Sequence, residues 1–260
     1  MVETAKAKMH RVHIANVGEA VIYRGSGIPY AADDENEYGL GAYMRLGRRG
    51  FVYAKVGTGG VEPDIGAKTT LAQKIGNVAI QTKAETGDTE LKITSNVDVT
   101  ENELEGGEVV VFVAGGGKSF TRGIISNDAV VSQPKTLTLQ LDSPIPVDVV
   151  IASSSAEVIA SPYSSVEKTS SLEWNMVMGI PIIKAVANKF VWLQVEGVCW
   201  VVPDGIVGAA VNQQTVIFKG DGSIGLQSTT TDGQIAGIVI CPATGGTGQG
   251  APFIMLQIAH

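Results

Sequence analysis

Residues 190–202 read Phe190-Val191-Trp192-Leu193-Gln194-Val195-Glu196-Gly197-Val198-Cys199-Trp200-Val201-Val202, and no other run constrains the fold as much. The run holds two of the three tryptophans and no proline, so nothing in it interrupts a backbone ladder. Side chains of a strand alternate between faces, which sorts Phe190, Trp192, Gln194 and Glu196 to one side and Val191, Leu193 and Val195 to the other. Beyond Gly197 the two phases are Cys199 and Val201 against Val198, Trp200 and Val202. The pattern predicts a β-ribbon bent or bulged at Gly197, with one apolar face and one of large amphipathic side chains. Pro203-Asp204-Gly205 closes it with turn chemistry.

Shorter runs of the same kind fill much of the chain. Tyr43–Leu46 leads through Gly47-Arg48-Arg49-Gly50 into Phe51–Val56, a hairpin pattern. Strands are expected at 78–82, 90–93, 109–113, 119–125, 129–131, 136–141 and 146–152. Ser126-Asn127-Asp128 reads as a turn between two of them. Further strands are expected at 178–183, 215–219, 224–227, 235–240 and 253–258. Turn signals about every 8–12 residues point to small barrels or sandwiches. The 32 glycines and a charged content of only 17% suit many short strands and burial against partner chains. One short helix is expected over 67–74, where Leu71 and Ile75 stand at i, i+4 and Gly76-Asn77 supplies a stop.

The predicted architecture is all-β, with two small barrel- or sandwich-like units and an extended N-terminal arm. The arm covers 1–40: basic residues (Lys6, Lys8, His10, Arg11), then Gly25-Ser26-Gly27, then the acidic run Asp33-Asp34-Glu35-Asn36-Glu37, with one short strand at 20–24. Such a stretch packs poorly by itself. The serines at 153–155, 164–165 and 170–171 mark a connection, giving an N-terminal β domain over 41–155 and a C-terminal one over 156–260.

Sites of chemistry are hard to assemble from these residues. The acidic run lacks the alternating ligands and fixed glycine of a calcium loop and reads as a solvated turn. His10 and His13 have no third ligand at suitable spacing. Ala114-Gly115-Gly116-Gly117-Lys118-Ser119 ends like a phosphate-binding loop, but Phe112 stands where that motif needs glycine, and a strand pattern follows where it needs a helix. The three histidines lie within 13 residues of a chain end, which leaves a nucleophile short of its base. No spacing of carboxylates picks out a glycosidase pair. The expectation is a protein that is not an enzyme, with no catalytic, cofactor-binding or metal-binding residues. Cys199 and Cys241 sit in apolar runs and read as reduced core thiols, with a disulfide or a metal site as the other reading. A net charge of −7 lacks the footprint of nucleic-acid binding. No apolar run approaches the roughly 18–20 residues of a membrane helix, and no signal peptide is expected. Phe190, Trp192, Gln194 and Trp200 are the candidate core or interface residues, with an aromatic platform for a glycan as the other reading of Trp192, Gln194 and Trp200.

Several short patterns together resemble the capsid decoration (cement) proteins of tailed bacteriophages. They are Gly50-Phe51-Val52-Tyr53-Ala54-Lys55, Arg122-Gly123-Ile124-Ile125-Ser126-Asn127, and the strand 136–141 followed by Asp142-Ser143-Pro144. Ser161-Pro162-Tyr163, Gly179-Ile180-Pro181 and the Phe-x-Trp-x-Gln-x-x-Gly run at 190–197 complete the set. The arm departs from that pattern, and Thr121-Arg122 stands where similar sequences carry Tyr-Arg. The resemblance implies a β-rich, often trimeric virion protein on the capsid surface, made in the host cytoplasm. It would clamp major capsid protein subunits where capsomers meet, and the arm would reach a neighbour. A glycan- or receptor-binding virion module is the alternative expectation, and a carbohydrate-active enzyme a weaker one.

Overall fold

A computed structural model of the chain describes residues 10–13, 19–22, 28–70, 73–114, 118–151, 153–168, 175–208, 214–227, 233–241 and 252–258. The first strands are β1 (His10–His13), β2 (Glu19–Ile22), β3 (Tyr43–Leu46), β4 (Arg49–Lys55) and β5 (Ala67–Thr69), with a 3-10 turn at Ile28–Tyr30. Next come β6 (Gln73–Ala79), β7 (Glu90–Ser95), β8 (Glu108–Val113), β9 (Lys118–Asn127), β10 (Lys135–Leu141) and β11 (Ser155–Ile159). The last are β12 (Val166–Glu167), β13 (Val177–Pro181), β14 (Phe190–Trp200), β15 (Thr215–Phe218), β16 (Ile224–Leu226), β17 (Ile235–Cys241) and β18 (Phe253–Gln257). The fold is all-β, with two units on separate curled sheets and an N-terminal arm.

The units divide the chain differently from the expected cut at 155. One holds Met1–Thr70 together with Tyr163–His260, and the other holds Leu71–Pro162, so the second is inserted into the first. The serines at 153–155 lead directly into β11, where Ser155, Ala156, Glu157 and Val158 alternate between outside and inside. That strand belongs to the inserted unit, paired with β6 on one edge and β8 on the other.

The inserted unit orders its strands β6-β11-β8-β9-β10-β7. An antiparallel bridge from Ile80 to Ile93, with the Gln81 N–H donating to the Lys92 carbonyl at 2.8 Å, brings the two ends of that order together. The result is a strongly curled six-stranded sheet, a half-barrel whose outer strands approach at that one bridge. Register explains its filling. Leu137 pairs with Ile93 and Leu139 with Leu91, and all four point inward with Ile75, Val109, Val111 and Val158. Each such side chain contributes about 1.5–3 kcal/mol on burial.

The other unit is organised around β14. One edge of β14 carries β4, from Phe190–Lys55 to Glu196–Gly50; the other carries β13 first and then β18. The sheet continues through β17 and β15 to β16 on one side, and through β3, β2 and β1 on the other. Residues 191–195 are buried on both faces, unlike a strand with one wet side. Val191 and Leu193 join one apolar cluster, Val195 another, and Trp192 a third.

Several local expectations are corrected. Among the described residues of 67–74 no helix forms: Ala67–Thr69 is β5, held between β12 and β13, and β6 begins at Gln73. A pattern of two turns is too short to nucleate a helix against sheet partners on both edges. Of the strands expected at 129–131 and 146–152, the described residues 129–131 and 146–151 form only the isolated bridges Val99–Val130 and Ala84–Val149, beside Pro134, Pro144 and Pro146, which lack the ladder donor. Part of the arm packs. Pro29 is buried, Tyr38 packs with the third cluster, and Asp33 exchanges two 2.9 Å backbone hydrogen bonds with Phe190. The strand expected at 20–24 is β2, lying parallel to β3 at Val21–Met44. Lys6, Lys8, 25–27, the glycines at 115–117, Ser170, Ser171, the loop 244–250 and the side chains of His10 and His13 lie outside the described residues.

Candidate functional site

The four candidate residues of the ribbon take different places. Trp192 has no exposed surface and Gln194 is buried, whereas Phe190 and Trp200 are half-buried. Three of them stand close to β4, while Trp200 pairs with Phe253 of β18. Trp192 lies in a ring cluster with Tyr53 at 4.9 Å and Tyr38 at 5.3 Å; Tyr38 meets Tyr53 edge-on at 5.0 Å. Phe190 stacks on Tyr53 at 5.8 Å. These offset and edge geometries suit the ring quadrupoles, and Met44 and Phe51 close the cluster.

The bulge comes two residues before Gly197. Against β4, Gln194 pairs with Phe51 and Glu196 with Gly50, so Val195 is the extra residue. Gln194 then bridges the distortion, its amide donating to the carbonyls of Glu196 (3.2 Å) and Val198 (3.0 Å). A buried amide thus satisfies ladder groups that the bulge displaces. Gly197 has φ +94°, and a Cβ there would stand 2.3 Å from the carbonyl oxygen of Arg48. The spacing Gln-x-x-Gly at 194–197 signals this device, although alternation by itself places Gln194 with Phe190 and Trp192 on the aromatic face.

Polar groups brace the rim. Tyr43 donates to Glu196 Oε2 at 2.9 Å and Arg45 pairs with Glu196 Oε1 at 3.0 Å. Tyr53 donates to Asp33 Oδ2 at 2.7 Å, and Lys189 pairs with Asp34. Burial pushes the Asp33 carboxyl above its ordinary range, the Tyr53 hydrogen bond opposes this, and Glu37 and Asp34 add to it. Burial likewise raises the Tyr53 phenol, helped by Asp33. The acidic run is therefore tied to β4 and β14 rather than being wholly a solvated turn.

The barrel has its own braced corner. Arg122 donates to the Pro144 carbonyl from Nε (2.9 Å) and Nη2 (2.7 Å). Asp142 N–H donates to the Gly123 carbonyl at 2.9 Å, and a Cβ at Gly123 would stand 2.7 Å from Asp142 Oδ2. Asn127, expected in a turn, is a buried end of β9. Its Nδ2 donates to the carbonyls of Thr100 (2.9 Å) and Asp128 (2.7 Å), and its Oδ1 accepts from the Leu104 N–H (2.8 Å).

Both thiols are free, but only Cys199 is in the core; Cys241 is exposed because β17 turns that residue outward. Burial pushes the Cys199 thiol up to about 12, with Asp64 adding and Arg49 opposing. Among the described residues no three His, Cys, Asp or Glu side chains gather as a metal site. A cleft beside Gly59, Gly60 and Lys184 holds Glu62, whose carboxylate is engaged by Lys168 at 2.8 Å and Lys184 at 3.9 Å. No family model, curated protein or solved structure matches the chain.

Proposed function

We propose that this chain is a virion structural protein that decorates a bacteriophage capsid, cementing major capsid protein subunits as a homotrimer, without catalysis or cofactor. One observation carries the reading: the residues on which the decoration-protein resemblance rests meet one another in space. Gly50–Lys55 and Phe190–Gly197 are ladder neighbours, and Gly179-Ile180-Pro181 joins the other edge of the same ribbon, with Ile180 opposite Gln194. The Tyr163 carbonyl accepts from the Lys55 N–H at 2.8 Å. In the barrel, Arg122-Gly123 closes on Asp142-Ser143-Pro144. The shared residues thus brace a frame, which suits a protein whose task is mechanical.

In such a protein many modest apolar contacts, each worth about 25 cal/mol per Å² and repeated around the shell, resist internal pressure without one strong bond. A glycan platform is the weaker reading, since Trp192 presents no surface to a sugar. The test is sedimentation of the purified protein with capsids of the encoding phage that lack it. Saturable co-sedimentation and a raised capsid melting temperature are expected. A protein that stays in the supernatant, or that binds immobilised glycans instead, overturns the reading.

A further inference from the structure

The outer face of the curled six-stranded sheet carries carboxylates without a counter-charge. Across β11, β8 and β9 its rows are Ser155–Phe112–Ser119, then Glu157–Val110–Thr121, then Ile159–Glu108–Gly123. Directly opposed residues of a ladder share a face. The alternate residues Ala156, Val158, Val109 and Val111 fill the core on the other side. A cleft of about 190 Å³ opens in the outer face, lined by Glu108, Val110, Thr121, Glu157 and Ile159. Among the described residues no ion pair or side-chain hydrogen bond engages the Glu108 or Glu157 carboxylate. Asp142 adds a third negative charge: at Gly123, level with Glu108, a Cβ would stand 2.7 Å from Asp142 Oδ2.

The rows hold no lysine, arginine or histidine, so the charge that complements them comes from outside the chain. Chemistry narrows the cation. Among the described residues no three acidic side chains converge as a metal site. Glu157 and Glu108 stand on one diagonal of adjacent rows, and Val110 and Ile159 stand on the other. A hydrated metal ion gains nothing from that apolar pair, whereas a long basic side chain lays its methylenes on it and brings its head to the carboxylates. Arginine fits better than lysine, because its rigid fork donates in several directions and reaches carboxylates on both strands. Phe112, 42% exposed, stands in the next row along β8. Residues two apart on an extended chain share a face at the same spacing as these rows. A segment lying along β8 with arginine over Val110 therefore sets the residue two positions away on Phe112.

We propose that this face docks an extended segment of a partner protein, through an arginine seated between Glu108 and Glu157 and an apolar side chain, two positions away, on Phe112. The proposal goes beyond the capsid reading and does not need it.

The probe is the peptide acetyl-Gly-Arg-Ala-Leu-Gly-amide, titrated into the isotope-labelled full chain and followed by NMR at the backbone amides. Saturable shifts are expected at residues 108–112 and 157–159. The same peptide with citrulline for arginine, alike in shape but uncharged, is expected to bind at least about tenfold more weakly. The arginine peptide is expected to lose as much on the Glu108→Gln/Glu157→Gln variant, whose far-UV spectrum should be unchanged. Absent shifts overturn the proposal, as does equal binding of the citrulline peptide or of the variant. Shifts at these residues on concentrating the chain without peptide would give the face to a second copy and also overturn it. Should the variant not fold, salt gives a second readout on wild type. Affinity for the arginine peptide is expected to fall several-fold as ionic strength rises from about 0.01 M to about 0.15 M, and an affinity independent of salt overturns the proposal. Failure of these measurements removes the arginine-docking face, whereas failure to sediment with capsids removes the decoration reading.

Discussion

Trp192 shows how one side chain is bound by its setting. It is enclosed by Tyr53, Tyr38, Phe51 and Met44, so truncation leaves a cavity that rigid strands cannot collapse around. Trp192→Ala is expected to cost about 3–5 kcal/mol in denaturant unfolding; a loss below about 1 kcal/mol would mean the cluster is not packed as described. Asp33 gives a pH signature. Its folded pKa lies above the ordinary 3.8, so the folded state keeps the proton longer. The stabilisation from that neutral carboxyl is complete below the unfolded value and is lost as pH rises through the folded one. Asp33→Asn stays neutral throughout, so its melting temperature relative to wild type should rise from acid to neutral pH. A constant offset would count against the burial of Asp33. The thiols make a third case: at neutral pH a thiol reagent is expected to label Cys241 and spare Cys199 until the protein unfolds.

At the scale of elements, β14 depends on a bulge with two supports. Gly197→Ala places a methyl group against the Arg48 carbonyl at a left-handed φ, and is expected to cost about 2 kcal/mol or more. Gln194→Leu keeps the volume but strands the carbonyls of Glu196 and Val198, at about 1–3 kcal/mol. Unfolding curves of the two single variants and the double variant check both. Additive losses would show that amide and glycine act separately, whereas the shared bulge predicts coupling. Much of this strand was legible. Its alternation and its proximity to a bulge are local properties of 190–202. The neighbour on each edge was not legible, because β4 comes from more than a hundred residues earlier and pairing leaves no local mark. The failed helix at 67–74 has the same cause: β12 and β13 capture that segment from a distance.

The whole molecule is divided by which strands share a curled sheet. A fragment of residues 71–162 contains all six barrel strands and their core, and is expected to unfold cooperatively in isolation. A fragment of 41–155 stops at the first residue of β11, leaving β6 and β8 without the strand between them, and is expected not to fold. Circular dichroism melts of the two fragments decide between the divisions. If the second melted cooperatively and the first did not, the inserted-barrel description would be wrong.

The sequence by itself determined the all-β class, the positions of most strands and the residues of the ribbon, since alternation and turn chemistry act over a few neighbouring residues. Only the tertiary structure decided the insertion of one unit into the other, the burial of Trp192, the anchoring of Asp33 and the exposure of Val198 and Met255. Each depends on which distant strand lies alongside, and a two-residue period states that a side chain has a face without stating what covers it.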